Sequence, residues 1–324
     1  MKPYKYQPKP IFKQRMDSLL KDDKDREEYW SIVHQKPVNS IRCNTLKISP
    51  SDLRKKLENL GWKIQVPYPK HPEIMIITNN LLPGQLGKTK EHLLGYYYVQ
   101  EISSMMPMLA LQPNEQDSFF DCCASPGSKT TQAAAMMNNK GIIIANELNM
   151  GRIRILASNL EKIGCSNTII TRNHGANICK NFKNKKIEFD KILVDAPCSG
   201  EGTLRSSPRT FQMWNPKMTL RFSRTQKLLA SKALKILKTN GYMIYSTCTH
   251  APEENEEVVQ YLLDNFNISI EKIDLPLKTR PGILEWKDRK FDKQMEKAAR
   301  IYPQDNNTEG FFICKIKKLG ENQE

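Results

Sequence analysis

The sequence predicts an α/β protein: a Rossmann-like domain, with a largely parallel sheet and helices on both faces, preceded by a small α+β module. Three observations carry that prediction. From Asp117 onward, strand-like apolar runs alternate with helix-length segments, as in a parallel sheet built from βαβ units. The stretch Ser118 to Gln132, SFFDCCASPGSKTTQ, reads as strand, tight Pro-Gly turn and helix start, the opening half of such a unit. Glu147 closes the next apolar run 20 residues after Gly127. At about that spacing an acid reaches a ribose hydroxyl in nucleotide-binding folds.

In chain order, residues 1–30 form a charged, proline-punctuated extension, read as a mobile tail before a helix over Asp22–Trp30. Residues 31–112 hold the small module and its linker. Ser40–Lys47 alternates like a strand, and Ser49-Pro50 opens a helix whose periodicity over Leu53–Leu60 stops at Gly61. Ile64–Val66 and Ile74–Ile77 read as strands. Leu94–Glu101 is another, with Tyr96, Tyr97 and Tyr98 in succession. Tyrosines can stack bases, but strands are rich in tyrosine, and a core-and-surface alternation is the stronger reading. An apolar helix follows over Ser103–Leu111.

Residues 113–324 make the Rossmann-like domain. Its expected strands are Phe119–Asp121, Gly141–Glu147, Thr168–Thr171, Lys191–Asp195, Tyr242–Ser246 and Gly310–Ile316. Its expected helices are Thr130–Met137, Arg152–Ile163, about Leu220–Leu237, and Val258–Asn265.

The 324 residues carry 50 Lys and Arg against 35 Asp and Glu, a formal charge of +15. Such an excess attracts polyanions, of which nucleic acid is the commonest. Eight cysteines stand at 43, 122, 123, 165, 179, 198, 248 and 314, with no CxxC pair to suggest zinc. No signal peptide precedes them and no apolar run is long enough to span a membrane. The expectation is a cytoplasmic, metal-free protein with reduced thiols.

In open α/β sheets, ligands sit beyond the carboxyl ends of the strands. Asp121, Glu147, Asp195, Cys198 and Cys248 all fall at such ends, so the pattern converges them on one crevice. A cysteine acts as nucleophile through its thiolate, which nearby cations or helix N-termini favour. A lone cysteine at a strand end is ordinarily a small buried hydrophobe. Two of them, one in Asp195-Ala-Pro-Cys198, make chemistry the better reading.

The segments DCCASPGSKTTQ, VDAPCSGEGT and YSTCTHAPEENE, in that order, resemble the signature motifs of the NOL1/NOP2/Sun family of RNA (cytosine-5)-methyltransferases. The likeness runs from about Asn39 to Lys317 and is greatest to archaeal members. It implies S-adenosylmethionine as cofactor and RNA as partner. Cys248 then corresponds to the nucleophile that attacks cytosine carbon 6, and Cys198 to the residue that assists proton removal and release. Asp195 corresponds to the acid that holds the cytosine edge, and Lys129 lies near both the base and the methionine moiety. The loop Cys123, Ala124, Ser125, Pro126, Gly127, Ser128 and Lys129 corresponds to the methionine end of the cofactor site. Glu147 corresponds to the ribose acid and Arg152 to a basic residue of the same element, although an exposed helix charge explains Arg152 equally well.

Asp195 is also expected among the cofactor-binding residues. One position departs from the family. Beyond the strand ending at Thr171 the family usually carries an aspartate near the adenine, whereas this chain reads Arg172-Asn-His-Gly-Ala176. His174 or Gly175 takes its place, and a neutral histidine can still hydrogen-bond adenine. Arg205, Arg209, Lys217, Arg221 and Arg224 cluster after the Pro-Cys motif, where phosphate contacts and solvated helix charges are both open readings. Transfer RNA is the preferred substrate of a monomeric enzyme, with ribosomal RNA the alternative. A non-catalytic RNA-binding or ribosome-assembly factor is disfavoured by the intact cysteine pair, and a nicotinamide enzyme by the missing GxGxxG turn.

Overall fold

The computed structural model describes residues 6–20 and 22–321. Two helices open it, α1 (Pro10–Leu19) and α2 (Asp23–Ile32). Both carry an apolar stripe: Phe12, Met16, Leu20, Tyr29 and Val33 are buried against Leu204, Phe211, Trp214 and Tyr302. The expected mobile tail is therefore corrected from Pro10 onward, because these side chains leave water only by docking on the larger domain. Residues 1–5 of that expectation lie outside the described residues.

The module follows. Strands β1 (Asn39–Cys43), β2 (Ile64–Gln65), β3 (Ile74–Ile77) and β4 (Tyr97–Val99) form an antiparallel sheet in the order β2-β3-β1-β4. Helix α3 (Pro50–Asn59) covers it with Leu53 and Leu57. Ser49 caps α3 by accepting from the Asp52 N–H, as the Ser-Pro start predicts. A short helix α4 (Lys90–Leu93) precedes β4. Tyr97 is core, and Tyr98 is buried with its hydroxyl toward the Pro126 carbonyl. The expected alternation of core and surface is therefore corrected: both tyrosines are buried, because the face that carries Tyr98 is covered by the Rossmann-like domain rather than left to solvent.

Helix α5 (Ile102–Leu111) is buried almost throughout and leads into the large sheet. Five strands of that sheet are parallel: β5 (Ser118–Asp121), β6 (Ile142–Glu147), β7 (Thr168–Arg172), β8 (Phe189–Asp195) and β9 (Leu237–Thr247). Their order is β7-β6-β5-β8-β9, so the chain reverses its direction of winding between β5 and β8. Helices α6 (Ser128–Met136) and α7 (Met150–Ile163) follow β5 and β6. Helix α8 (Gly175–Asn184), absent from the sequence reading, follows β7. The short α9 (Thr210–Met213) and the long α10 (Pro216–Leu234) connect β8 to β9. Helix α10 stops at Leu234, three residues before the expected end, because Ile236 and Leu237 are drawn into the core and Leu237 opens β9.

Beyond β9 the sheet turns antiparallel. Helix α11 (Glu256–Asn265) leads to β10 (Ile268–Glu271) and β11 (Arg280–Pro281). A two-residue hairpin, β12 (Glu285–Trp286) with β13 (Arg289–Lys290), stands apart from the sheet. Strand β14 (Ala299–Ile301), the short α12 (Pro303–Asn306) and β15 (Phe311–Lys318) complete the chain. Strand β15 lies antiparallel beside β9, with Phe312 opposite Thr247. Among the described residues no helix is long and apolar enough to cross a membrane.

Candidate active site

A cavity of about 430 Å³ opens at the carboxyl ends of β5 and β8, where the winding reverses and a crevice is expected. The small module forms its outer wall with Pro37, Val38, Asn39 and Val99. Of the residues singled out from sequence, Cys123, Ala124, Ser125, Pro126, Ser128, Lys129, Asp195 and Cys248 line it, as does Asp121. Cys198 stands behind Cys248, with 3.0 Å between the two sulfurs, and both thiols are free. The hydrogen bond with Cys248 and the loss of water around it push the Cys198 thiol well above its usual range.

Lys129 and Asp195 face each other across the crevice. The ammonium donates to Asp195 Oδ2 at 2.7 Å and to Ser104 Oγ at 3.0 Å, and sits 5.2 Å from the centre of the Phe311 ring. The other Asp195 oxygen accepts from Ser246 Oγ at 2.8 Å. Asp121, at the end of β5, is buried. One of its oxygens accepts from Thr130 Oγ1 at 2.7 Å, and the other has no protein partner among the described residues. Burial, with Asp195 nearby, pushes its carboxyl up to about 7.

The Cys123–Ser128 loop owes its shape to Gly127, which caps α6 at φ +105°, a left-handed conformation that favours glycine. A Cβ there would also press on Leu156 Cδ1 at 3.0 Å. Arg152 donates to the Ser125 carbonyl at 2.5 Å and pairs with Glu147 at 3.3 Å. Asn159 holds the Pro126 carbonyl at 2.8 Å. Glu147, Arg152 and His174 do not line the cavity. They lie along the sheet edge toward β6 and β7, with Arg152 tying Glu147 to the loop. His174 is the half-buried N-cap of α8, and its side chain caps nothing. A side chain at Gly175 would meet Leu229 Cδ2 at 2.7 Å and Cys122 Sγ at 2.8 Å. His174 is thus the residue of the two that can present a group to a ligand.

Several functional side chains escaped the sequence reading. Ser246, near the end of β9, is two residues before Cys248, which follows directly on that strand, so period-two alternation could have found it. Arg42 gave no such signal. Buried in β1, it donates to Ser128 O at 2.7 Å and Thr131 Oγ1 at 2.8 Å, locking the module to the start of α6. Glu254 lies in the acidic stretch that follows Cys248. It turns inward instead, accepting from Ser199 N at 3.0 Å and Gln226 Nε2 at 2.8 Å, and so joins the two cysteine loops. Arg205, a candidate for phosphate, is buried and donates to the Gln35, Lys36 and Thr308 carbonyls. That reading is corrected for Arg205; Arg209, Lys217, Arg221 and Arg224 remain exposed. Among the described residues no group of three or more His, Cys, Asp or Glu side chains is placed to hold a metal ion.

A family model described as 16S rRNA methyltransferase RsmB/F matches residues 108–317. The N-terminal domain of 16S rRNA methyltransferase RsmF matches residues 9–102. A tRNA (cytosine(49)-C(5))-methyltransferase of Pyrococcus abyssi is 39% identical over 97% of this chain and 99% of its own length. A Ribosomal RNA small subunit methyltransferase F of Vibrio parahaemolyticus is 35% identical, over 95% of this chain but 62% of its own length. Among solved structures, a methyltransferase homolog protein from Pyrococcus horikoshii superposes with a TM-score of 0.79 at 34% identity, covering 92% of this chain and 91% of that one. NSun6 from the same organism, solved with SFG, shares the fold at a TM-score of 0.83 and 24% identity, covering 97% and 99%.

Proposed function

The chain belongs to the NOL1/NOP2/Sun family of S-adenosylmethionine-dependent RNA (cytosine-5)-methyltransferases, and on that premise we propose that it forms 5-methylcytosine in transfer RNA. The observation that carries the chemistry is one cavity bearing Cys248, with Cys198 3.0 Å behind it and the Lys129–Asp195 pair beside it. Transfer RNA is preferred because the Pyrococcus abyssi relative, matched over nearly its whole length, acts on it by name. Ribosomal RNA is the second reading, favoured by the descriptions of both family models.

The residues present fit S-adenosylmethionine. A buried carboxylate oxygen of Asp121 lacks a protein partner beside a loop of small residues, as a site for an ammonium-bearing ligand would require. Cys123 to Ser128 would hold the methionine end, Glu147 the ribose hydroxyls, and His174 the adenine side. Bound there, the cofactor supplies an electrophilic sulfonium methyl.

The protein's part is to make carbon 5 of cytosine nucleophilic. As Cys248 Sγ adds to carbon 6, the C–S bond forms, the thiol proton passes to N3 and the ring electrons move toward carbon 5 and N3. Asp195, oriented by Lys129 and Ser246, receives the hydrogen bond of the protonated N3. Once carbon 5 is methylated, its proton leaves, the ring double bond returns, the C–S bond breaks and the N3 proton is released to solvent. Cys198 keeps its own proton through the first step, since its thiol is held well above the usual range. Giving that proton to the departing Cys248 sulfur while taking the one from carbon 5 closes the cycle. The exposed Arg209, Lys217, Arg221 and Arg224 contact phosphates. We place the enzyme in the cytoplasm, in keeping with eight unpaired cysteines, and propose that it acts as a monomer without a metal.

The test uses labelled S-adenosylmethionine with transfer RNA and with ribosomal RNA, and nucleoside analysis for 5-methylcytosine. Label in transfer RNA, lost in Cys248→Ala, with a covalent RNA adduct accumulating in Cys198→Ala, supports the assignment. Label in ribosomal RNA alone keeps the chemistry and overturns the substrate. Full activity of Cys248→Ala overturns the nucleophile.

A further inference from the structure

One wall of the cavity is unused by this chemistry. Glu309 immediately precedes the stretch that enters β15, and it lines the cavity together with Cys248, Lys129 and Asp195. It is 4% exposed. Its Oε1 accepts from the Ser206 N–H at 2.7 Å, and its own N–H donates to Glu101 Oε1 at 2.9 Å. Its Oε2 is shut off from solvent and has no partner among the described residues. A buried carboxylate oxygen left unsatisfied costs stability, and such groups persist where a ligand completes them.

The backbone holds Glu309 beside the nucleophile. Gly310 N donates to Gly202 O at 2.8 Å and Gly202 N to Cys248 O at 2.9 Å, so Glu309 is tied through two hydrogen bonds to the nucleophile's own backbone. A cytosine with carbon 6 against Cys248 carries hydrogen-bond donors only on the exocyclic amine at carbon 4 and on its ribose. The amine belongs to the same ring as the carbon that meets Cys248, so it is the donor that enters the cavity Glu309 and Cys248 both line. Resting on the function proposed above, we infer that Glu309 Oε2 accepts a hydrogen bond from the exocyclic amine of the target base and so selects cytosine over uracil. Uracil would set a carbonyl oxygen against the carboxylate in the same place.

The groups facing Glu309 are Glu101 before α5, Ser206 and Arg205 in the loop after β8, and Lys129, Asp195 and Cys248 across the cavity. Burial is the main cause that pushes its carboxyl up to about 7; Glu101 adds to it, and the Ser206 hydrogen bonds and Arg205 oppose it. The ionised form accepts from the amine, so selection for cytidine strengthens as pH rises through that value.

The test is Glu309→Gln, which keeps an amide oxygen for Ser206 and can turn an NH2 toward the base. Wild type and variant are compared on RNA hairpins carrying cytidine or uridine at the target position. Binding is read by fluorescence anisotropy, turnover on the cytidine hairpin as 5-methylcytosine, and folding by melting curves. The expected result is a loss of roughly ten- to a hundred-fold in kcat/KM for cytidine. The cytidine-to-uridine affinity ratio should fall with it, and that ratio's rise through pH 7 in the wild type should vanish. An unchanged ratio and pH profile, with wild type making 5-methylcytosine, overturns this assignment alone. Wild type making none on any RNA overturns the reading it rests on. Should Glu309→Gln fail to fold, Glu309→Asp withdraws the carboxylate by one methylene and carries the same comparison.

Discussion

Replacing Lys129 by methionine removes one charge from the crevice while keeping most of the side chain's volume. The lysine side chain is 8% exposed and that of Asp195 26%, so the pair sits in a shielded but not dry environment. At 2.7 Å the gross attraction is about 6 kcal/mol for an effective dielectric constant of about 20. Much of that offsets the desolvation of the two ions, and the partial exposure of Asp195 screens it further. Breaking a fully buried pair costs about 3–5 kcal/mol, so about 2–3 kcal/mol is expected here. The assay is urea unfolding of wild type, Lys129→Met, Asp195→Asn and the double variant, with methyl transfer measured on each. The double variant should recover part of the stability lost by Lys129→Met, because no carboxylate is then left unpaired, yet stay inactive. Single losses that simply add, or a Lys129→Met protein as stable and active as wild type, would refute the coupling argued from the geometry.

Three further outcomes follow from the site. Asp121 titrates near 7 when folded and about 4 when unfolded, so between those values the folded state binds the extra proton and stability falls as pH rises, levelling off above 7. Asp121→Asn, whose amide oxygen can still accept from Thr130, should be the more stable protein at pH 8 by on the order of 2–4 kcal/mol, with the gain shrinking toward pH 4; urea unfolding at both pH values checks the slope. Arg152→Ala frees the Ser125 carbonyl and Glu147 together. Because the arginine side chain is 52% exposed its ion pair contributes little, so calorimetry should show cofactor affinity weakened only about 3- to 10-fold. His174→Asp places a capping side chain at the start of α8, worth about 1 kcal/mol in cofactor-free melting curves, and should also tighten S-adenosylmethionine binding beyond that gain; no change in affinity would dismiss the adenine-side role.

The sequence by itself determined the parallel half of the sheet and the ligand end of it. Strands such as Phe189–Asp195 are short apolar runs bounded by polar residues, and their ends carry Asp121, Glu147, Asp195, Cys198 and Cys248. That much follows from local patterning, because burial of both sheet faces leaves a continuous apolar signal. Residues paired across long stretches of chain were decided only in three dimensions. Arg42 meets Ser128 across 86 residues and Glu309 meets Glu101 across 208, and neither arginine nor glutamate carries a periodic signal when buried by partners so remote. The same holds for Arg205, whose charge reads as surface until three backbone carbonyls enclose it. Helix α8 and the short antiparallel strands from β10 to β14 depend on neighbours for their apolar faces, since segments this short gain their stability from packing more than from propensity. Tertiary structure also settled which of Cys123 to Lys129, Glu147, Arg152 and His174 share one cavity. Loop shape and side-chain direction at a strand end depend on what packs behind them, and here that is Leu156, Leu229 and Cys122.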